Sequence, residues 1–492
     1  MRFKSEKGES LVIKAYLILF RVQEPPSEYT ERLRAPLHKK KASASVCKSS
    51  LGTREYCIPN WAVFGRPFFC YSFAMAKLSE ILKERGYVYQ HSSEKLEEIT
   101  DGPKRTFYLG VDPTADSMHV GQLQGILVLR RFVEDGHKLI VIVGGGTGMI
   151  GDPGGKSAER NLLDDETIDR NAEALKKQFK QLFGGVDFEM VNNADWLRSL
   201  NMMEFLRDIG KHFTVNEMVK RDTVRPRLET RDASISYTEF SYMLLQAYDY
   251  LHLHKKYDCT LQVGGSDQWG NIISGVDLIR RKTGDKAYAL SWPLLVDKTT
   301  GKKFGKSEGG ATVWLDAEKT SPFQFYQFWL NVPDTSVEEL LMKMTLLSDM
   351  EIAAVKELHK RDPKEHHAQK TLAREVTKLA HGEEEGMRAE QVSQVLFGES
   401  ALKDLDSAAV VTLKAAAPSC EVKAGASILD VLVNAKLASS KRQARQFLED
   451  GAVSLNDASI KDQKREFSSE DFHNGIALLR RGQKNICVLV LE

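Results

Sequence analysis

Short apolar runs alternate with amphipathic stretches from residue 106 to residue 296. Residues 138–143, Lys-Leu-Ile-Val-Ile-Val, are typical of a parallel strand that is buried on both faces. The same periodicity predicts strands at 106–111, 188–192, 259–263 and 290–296, and helices at 121–134, 167–182, 199–212, 236–253 and 267–283. This alternation predicts an α/β fold with a doubly wound, Rossmann-like parallel sheet, whose ligands bind at the carboxyl ends of the strands.

Helical periodicity replaces strands after residue 320. Helices are predicted at 322–330, 336–344, 349–358 and 363–381. Mixed signals return near the end, with helices at 427–435 and 439–451 and strands at 452–456 and 486–491. We therefore expect an α/β domain at 75–320, a helical domain at 321–397, a linker with an Ala-Ala-Ala-Pro segment at 398–424, and a small α+β domain at 425–492.

Composition narrows the function classes. The 492 residues carry a formal net charge of +1, which excludes a globally basic nucleic-acid binder, so any RNA contact must use local patches. The six cysteines form no Cys-x-x-Cys pair, which favours a reducing compartment and argues against a zinc site. Because no run approaches the roughly 20 apolar residues of a membrane span, we expect no membrane partner.

Residues 1–74 are basic and show no continuous pattern. Five glutamates between residues 6 and 31 argue against an organellar transit peptide, which is poor in acidic residues. Met75 opens the first amphipathic helix and would be a natural initiator. We expect an upstream extension of little function or a start assigned too early, and hence a cytoplasmic protein. An organellar location is the alternative if residues 1–74 are a genuine transit peptide.

Two short patterns point to a phosphate-binding site. His-Val-Gly-Gln at 119–122 lies where a predicted strand turns into the helix at 121–134, and Lys-Phe-Gly-Lys-Ser at 303–307 lies in a loop rich in glycine and lysine. A histidine at a helix N-terminus adds a donor where the backbone dipoles already favour phosphate. Two ammonium groups and a hydroxyl suit a polyphosphate tail. Together the patterns predict activation of an acid by ATP.

These patterns resemble the two signatures of class I aminoacyl-tRNA synthetases, and the wider match resembles the bacterial-type tyrosyl-tRNA synthetases. Supporting stretches are Gly-Asp-Pro-Gly-Gly-Lys at 151–156, Phe-Ser-Tyr-Met-Leu-Leu-Gln-Ala-Tyr-Asp at 240–249, and Gln-Val-Gly-Gly-Ser-Asp-Gln-Trp-Gly-Asn at 262–271. The resemblance runs from about residue 75 to the C-terminus. It implies that L-tyrosine and ATP form tyrosyl-adenylate and pyrophosphate, and that tyrosine is then transferred to the 3'-terminal adenosine of tyrosine tRNA.

The resemblance also implies a homodimer, Mg²⁺ accompanying ATP as substrate, no protein-bound metal, and an anticodon-side role for the helical domain. Its implied catalytic residues are Thr114, His119, Lys303, Lys306 and Ser307. The implied tyrosine-binding residues are Tyr108 and Asp249 at the phenol hydroxyl, Asp152, Tyr242 and Gln246 at the ammonium group, and Gln268. The implied ATP-binding residues are Asp112, His119, Gln122, Gln262, Gly264, Asp267, Lys303 and Lys306.

The spacing of three of these residues supports the assignment independently. Tyr242, Gln246 and Asp249 fall at i, i+4 and i+7, on one face of a helix. Core packing explains a tyrosine at that spacing but not a glutamine and an aspartate beside it. Two positions depart from the family pattern. Gln122 replaces the usual second histidine, which puts its ribose contact in doubt, and Leu109 replaces a common cysteine and cannot hydrogen-bond. We expect altered ATP affinity and retained activity.

The C-terminal segment resembles a small RNA-binding domain shared with a ribosomal small-subunit protein. Lys441, Arg442 and Arg445 lie on one face of the predicted helix at 439–451, where they can meet tRNA phosphates. Arg480 and Arg481 add basic side chains further along. A solvated basic face is the alternative interpretation of the helix.

Other functions remain open from the residues alone. Residues 146–151 contain Gly-x-Gly-x-x-Gly after a buried strand, which by itself favours a nicotinamide or flavin dehydrogenase. The following Asp152-Pro153 interrupts the helix that this fingerprint must open. A non-catalytic RNA-binding or splicing protein on a synthetase fold is a second alternative. The tryptophanyl enzyme is the third, although Tyr108 with Asp249 favours a phenol over an indole, which offers only a donor.

Overall fold

The computed structural model describes residues 76–153, 163–221, 224–229, 234–296, 304–305, 310–482 and 485–492. All the elements below lie within the compact unit Lys77–Glu492. The predictions for residues 1–74 and for Lys303, Lys306 and Ser307 fall outside the described residues. In the part of the chain that is described, no helix is long and apolar enough to cross a membrane.

A six-stranded sheet forms the first domain. Its strands are β1 (Gln90–His91), β2 (Thr106–Val111), β3 (Lys138–Val143), β4 (Glu189–Asn192), β5 (Cys259–Gly265) and β6 (Tyr288–Trp292), in the spatial order β1-β6-β5-β2-β3-β4. All neighbouring pairs are parallel except β1 with β6. The chain runs outward from β2 to β4 and then returns to β5 on the other side of β2. This reversal confirms the doubly wound sheet and opens a crevice at the carboxyl ends of β2 and β5.

Helices and short helical turns connect the strands. The helices of this domain are α1 (Leu78–Glu84), α2 (Glu97–Thr100), α3 (Val120–Glu134), α4 (Asp165–Phe183), α5 (Ala194–Leu197), α6 (Met202–Asp208), α7 (Val215–Met218), α8 (Arg225–Glu229), α9 (Tyr237–Tyr257) and α10 (Trp269–Thr283). The single helix predicted at 199–212 is wrong. The Asn201 side chain accepts hydrogen bonds from the N–H groups of Met203 and Glu204, so α6 begins only at Met202, and a separate 3₁₀ turn, Gly210–His212, follows it.

Five helices follow the sheet, namely α11 (Pro322–Leu330), α12 (Asp334–Met344), α13 (Asp349–Arg361), α14 (His367–His381) and α15 (Glu383–Leu396). The sequence did not predict α15. The helix predicted at 363–381 is shorter than expected, because His366 adopts a left-handed conformation with φ of 51° that separates a 3₁₀ turn from α14. Buried side chains of the sheet, α3, α4 and the helices α11 to α14 form one continuous core.

The linker predicted at 398–424 is wrong. This interval contains helix α16 (Ser407–Ala416), whose N-terminus is capped by Asp406, and strand β7 (Ser419–Val422). Strand β7 pairs in parallel with the last strand of the chain. The alanine-rich composition that suggested a linker also favours a helix, and burial of Val410 and Leu413 against neighbouring elements decides between them.

The C-terminal domain is built on a second, five-stranded sheet. Its strands β7, β8 (Val453–Leu455), β9 (Ala458–Ser459), β10 (Ile476–Arg481) and β11 (Asn485–Leu491) follow the order β7-β11-β10-β8-β9. Helices α17 (Ile428–Asn434) and α18 (Lys441–Glu449) cover one face. The opposite face packs against α15 and α16 of the preceding region. The sheet is therefore buried on both sides.

Candidate active site

A cavity of about 400 Å³ occupies the crevice at the carboxyl ends of β2, β3 and β5. Every predicted tyrosine- and ATP-site residue that the structure describes lines it, namely Tyr108, Asp112, Thr114, His119, Gln122, Asp152, Tyr242, Gln246, Asp249, Gln262, Gly264, Asp267 and Gln268. These residues come from five separate stretches of sequence. The fold therefore brings residues that are far apart in the sequence together around one cavity.

Asp249 lies at the buried end of the cavity, with 3% of its surface exposed. Trp196 Nε1 donates to its Oδ1 at 2.7 Å, and Asn193 Nδ2 donates to its Oδ2 at 2.9 Å. Burial raises the pKa of the Asp249 carboxyl to about 7, although the two donors act in the opposite direction. The two hydrogen bonds thus fix the carboxyl group in position, and its raised pKa places its protonation near neutral pH.

Tyr108 reaches the same end of the cavity from β2. Its hydroxyl is buried, and no group among the described residues hydrogen-bonds it. The neighbouring Tyr250 is different, because its hydroxyl donates to the carbonyl of Tyr288 at 2.8 Å. Burial, and secondly the charge of Asp249, raise the pKa of the Tyr108 hydroxyl well above its ordinary value, so it stays neutral. A ligand that both donates and accepts, such as a phenol hydroxyl, satisfies Tyr108 and Asp249 together.

A hydrogen-bonded chain links Asp249 to Asp112 and Tyr242. Asp112 accepts from the Tyr242 hydroxyl at 2.8 Å and from Thr147 Oγ1 at 2.7 Å. Asn193 Nδ2 lies 3.0 Å from Thr147 Oγ1 and so joins this group to Asp249. Sequence reasoning missed three of its members, Thr147, Asn193 and Trp196. The cluster of polar residues and a tryptophan directly after β4 was the available signal.

The glycine-rich turn after β3 makes room for this chain. A β-carbon on Gly144 would stand 2.0 Å from Asp112 Oδ1 and 2.4 Å from Thr147 Oγ1. Within residues 147–153, which the structure describes, the turn is followed only by a 3₁₀ turn, Thr147–Met149, where a dinucleotide fingerprint needs a long helix. The fingerprint at 146–151 therefore does not open a helix within residues 147–153, and Gly144, two positions before it, leaves room for a carboxylate of the protein itself.

The middle of the cavity carries Asp152 and Gln268. Gln268 Nε2 donates to Asp152 Oδ2 at 2.6 Å, and Asn271 Nδ2 donates to Gln268 Oε1 at 3.2 Å. Gln262 lies nearby on β5 with its Oε1 buried, and this atom has no partner among the described residues. An orphaned buried acceptor lining a cavity marks a place for a ligand donor.

His119 stands at the N-terminus of α3, toward the other end of the cavity. Its Nδ1 accepts from the Gly121 N–H at 3.1 Å, so the ring proton of the neutral imidazole lies on Nε2. Gln122 Oε1 accepts from the His119 N–H at 3.0 Å, which completes a capping box. The oxygen of Gln122 is therefore used by the helix, and only its NH₂ group remains as a donor toward a ligand.

The two signatures meet in space. Val120 N–H donates to the Val313 carbonyl at 3.0 Å, and Val313 N–H donates to the Gly305 carbonyl at 3.1 Å. Gly305 has φ of 126°, a conformation that favours glycine. Gly305 thus lies beside the N-terminus of α3. The described residues of the loop, Phe304 and Gly305, lie next to His119 and Gly121.

The three basic residues predicted to bind tRNA lie on α18 and differ in their surroundings. Arg442 and Arg445 face solvent, whereas Lys441 pairs with Asp430 at 2.5 Å. Arg481 places its guanidinium 4.9 Å from the ring centre of Phe447 on the same helix. Arg480 does not join this surface, because its side chain is buried on the opposite face of the sheet.

The sheet, the cavity and the paired signatures define a class I aminoacyl-tRNA synthetase. In agreement, the family of class I tRNA synthetases for tryptophan and tyrosine matches residues 100–398. A second family, the SYY-like C-terminal domain of tyrosine–tRNA ligase, matches residues 410–489. The second match begins inside the interval that the sequence suggested as a linker.

The similar proteins below are tyrosine enzymes, whereas the first family model covers both tryptophan and tyrosine enzymes. The tyrosine–tRNA ligase of Roseiflexus castenholzii is 45% identical over 422 residues, which are 84% of this chain and 98% of the relative. That of Staphylococcus carnosus is 46% identical over 416 residues, which are 82% and 98%. A C-terminally truncated mitochondrial tyrosyl-tRNA synthetase of Aspergillus nidulans superposes with a TM-score of 0.58 at 31% identity, over 65% of this chain and 94% of that one.

The chain belongs to the tyrosine–tRNA ligase family. Its members are class I enzymes that form tyrosyl-adenylate and charge tyrosine tRNA. The predictions of fold, enzyme class and overall reaction are therefore confirmed.

Proposed function

We propose that this cavity binds L-tyrosine at its Asp249 end and ATP at its His119 end, and that tyrosyl-adenylate forms between them. The observation that carries the proposal is the buried pair of Tyr108 and Asp249, a hydroxyl and a carboxylate that face one cavity. The phenol hydroxyl of the substrate donates to the Asp249 carboxylate and accepts from the Tyr108 hydroxyl. Phenylalanine would leave both groups desolvated and unpaired, which is costly.

The ammonium group of the substrate is assigned to Asp152, Tyr242 and Gln246. Asp152 provides charge, and the Tyr242 hydroxyl provides a lone pair because its proton is already donated to Asp112. Gln246 adds an amide oxygen from the same face of α9 as Tyr242. Gln268, which holds Asp152 at 2.6 Å, fixes the carboxylate in this position. Gln262, Asp267 and Gln268 are assigned to the ribose of ATP and the carboxylate of tyrosine, with the Asp267 carboxylate at the ribose hydroxyls.

Activation requires no general base, because the tyrosine carboxylate is already the nucleophile. It attacks the α-phosphorus of ATP, and the bond to pyrophosphate breaks as the new P–O bond forms. The protein contributes positioning and stabilisation of charge on the phosphate oxygens. His119, through Nε2–H, and Thr114 are assigned as donors, and Lys303, Lys306 and Ser307 as the groups that close over the β- and γ-phosphates.

Mg²⁺ is assigned to the ATP phosphates. Among the described residues no group of three or more His, Cys, Asp or Glu side chains is placed to hold a metal ion. This ion is commonly held by one or two carboxylates together with substrate phosphates. No protein side chain is assigned as a ligand of this ion.

Pyrophosphate exchange with each of the twenty amino acids tests the assignment of the cavity. We expect Mg²⁺-dependent exchange with tyrosine and none above background with phenylalanine. Exchange that tryptophan stimulates and tyrosine does not would refute it.

We propose that tRNA binds through the exposed basic side chains of α18, chiefly Arg442 and Arg445. These two charges sit on a helix whose N-terminus is capped by Ser440. Lys441 contributes less, since Asp430 already neutralises it. Replacing Arg442 should weaken tRNA binding and lower the salt dependence, with a log–log slope smaller by roughly 0.7–0.9 for each phosphate interaction that the variant removes.

We propose a homodimer whose interface includes the exposed apolar side chains of α6 and α7. Met202, Met203 and Val215 are 69%, 74% and 62% exposed on two short helices that follow one another in the sequence. A second copy of the chain is the expected occupant, because such clustered apolar exposure typically marks a protein interface. Changing Met202 and Met203 to Glu should yield a monomer in analytical ultracentrifugation. Met350→Glu, at a methionine that is 74% exposed on α13, is the matched control and should leave the dimer intact.

We propose a cytoplasmic location, which agrees with the bacterial origin of the relatives at 45% and 46% identity. Fusing residues 1–75 to a fluorescent protein tests the organellar alternative. Import of the fusion into an organelle would refute the cytoplasmic assignment.

A further inference from the structure

One arginine joins the C-terminal sheet to the last helix of the helical domain. Arg480 lies on β10, and the alternation of side chains along that strand places it on the same face as Ile476 and Leu478. The residue as a whole is only 7% exposed. Arginine is almost never buried to this extent unless its charge is paired.

The partners of Arg480 are at the C-terminal end of α15. Nη1 donates to the Leu396 carbonyl at 2.6 Å, and Nη2 donates to the Val395 carbonyl. Nε lies 3.2 Å from Asp457 Oδ1 in an ion pair. The last carbonyls of a helix lack partners within the helix and carry the negative end of its dipole. A planar fork of two charged donors therefore suits this helix end in both hydrogen bonding and charge.

Apolar packing surrounds this arginine. Buried side chains from both sides form one cluster, with Phe323, Val392, Val395, Leu396, Leu402, Leu405, Ala409, Val410 and Leu413 on one side and Ile476, Leu478 and Val488 on the other. Asn474 Nδ2 adds a weaker hydrogen bond to the Leu405 carbonyl at 3.4 Å. Movement of the C-terminal sheet away from α15 would expose this apolar cluster and remove the hydrogen bonds of Arg480 to the Val395 and Leu396 carbonyls.

We propose that Arg480 is a positioning residue that holds the C-terminal domain in one orientation on the helical domain before tRNA binds. The inference rests on the tRNA-binding role proposed above for α18. A preset orientation favours binding, because no part of the interaction energy is spent on selecting the competent arrangement. Arg480 acts on transfer to tRNA through this orientation. It contacts no phosphate, since the residue is buried and both of its Nη atoms donate to carbonyls of α15.

The adjacent arginine has a different environment. Arg481 points to the other face of the sheet, where its guanidinium lies over Phe447 of α18. Two consecutive basic residues thus divide between the two faces of one strand. Arg480 belongs to the interface between β10 and the C-terminal end of α15, which we call the joint. Arg481 lies beside the proposed RNA surface on α18.

The test uses the full-length chain with Arg480→Met and Arg480→Lys. Methionine keeps an unbranched apolar side chain and removes the fork, whereas lysine keeps the charge without the fork. Arg442→Met is the matched control, because it makes the same change at an exposed arginine of the same domain. Each protein is assayed for tyrosine-dependent pyrophosphate exchange, for kcat and KM with tRNA over a salt series, and for amide hydrogen exchange around residues 393–398 and 476–481 without tRNA.

Arg480→Met should leave pyrophosphate exchange unchanged and speed amide exchange on both sides of the joint. If the competent orientation falls to about a tenth of the population, KM for tRNA rises about tenfold while kcat and the salt slope stay near wild type. Arg442→Met should lower the salt slope of KM for tRNA and leave amide exchange at the joint as in the wild type. Arg480→Lys should fall between wild type and Arg480→Met.

The proposal would be overturned if Arg480→Met lowered the salt slope while amide exchange at the joint stayed at the wild-type rate. Arg480 would then be a phosphate ligand. An unchanged KM in the presence of a loosened joint would also overturn it. If the methionine variant does not fold, a wild-type KM in Arg480→Lys is decisive against the role. An unchanged slope in Arg442→Met refutes the RNA surface on α18 instead, and the amide exchange of the joint separates that failure from this one.

Discussion

The carbonyl oxygen of Phe304 lies 2.9 Å from the point where a β-carbon would stand on Gly121. The two residues belong to the two signatures, which are separated by about 180 positions in the sequence. The ring of His119 lies equally close to that point, at 2.9 Å from its Cε1. Gly121 therefore lets the lysine-rich loop approach the histidine at the N-terminus of α3.

Gly121→Ala should slow tyrosine activation by roughly ten- to a hundredfold, because a small displacement of positioned groups is costly in rate. The added methyl group must push either Phe304 or the His119 ring away. Pyrophosphate exchange measures the rate. Gly102→Ala is the control, since its new methyl group would meet only an ordinary neighbour at 3.5 Å. Equal rates for wild type and Gly121→Ala would show that the close approach is not needed.

Asp249→Ala should erode the discrimination between tyrosine and phenylalanine. The variant removes the acceptor for the substrate hydroxyl and leaves the donors of Asn193 and Trp196 unpaired. The ratio of kcat/KM for the two amino acids in pyrophosphate exchange measures the effect, and circular dichroism checks folding. A folded variant with wild-type selectivity would place the specificity elsewhere.

The buried carboxyl of Asp249 should also make stability depend on pH. Burial raises its pKa from an ordinary 3.8 to about 7, so the folded protein holds this proton more tightly than the unfolded chain. Stability from this group is complete below pH 4 and is lost as pH rises through about 7, by an amount on the order of 4 kcal/mol. Relative to Asp249→Asn, the wild type should lose free energy of unfolding between pH 4 and pH 7 in urea titrations. A difference that does not change with pH would contradict this assignment.

Lys306→Ala should slow activation by about a hundredfold or more, because one charge-assisted hydrogen bond made mainly in the transition state contributes about 3 kcal/mol. Tyrosine binding should barely change. Pre-steady-state formation of tyrosyl-adenylate measures the rate, and equilibrium dialysis measures tyrosine affinity. If affinity fell as far as the rate, Lys306 would belong to the tyrosine pocket.

Ending the chain after residue 424 should destabilise the part that remains. The cut removes β10 and β11, which exposes Val395, Leu396 and Val410 and leaves β7 without its neighbour. We expect dye binding to exposed apolar surface, a lower Tm and aggregation, with tyrosine activation retained only in the folded fraction. A monodisperse fragment with the Tm of the full chain would show that the interface contributes little.

The sequence by itself determined the α/β sheet and the order of the chemical groups along the chain. Strands β2 and β3 were predicted to the residue. For β3 the reason is that a β-branched run buried on both faces has a local pattern that few alternatives share. The spacing of Tyr242, Gln246 and Asp249 placed three polar groups on one helix face, because helical periodicity is also local. The resemblance in the motifs then indicated the reaction.

Only the tertiary structure decided which partners these groups have. No spacing reveals that Asn193 and Trp196 hold Asp249, or that Gly144 makes room for Asp112, because those interactions cross strands that are distant in sequence. The interval 398–424 has a composition that suits either a linker or a helix, and packing of its apolar side chains selects the helix. Arg480 and Arg481 are the same residue type side by side. Only the two faces of a strand, and the helix end that lies beside one of them, assign them different roles.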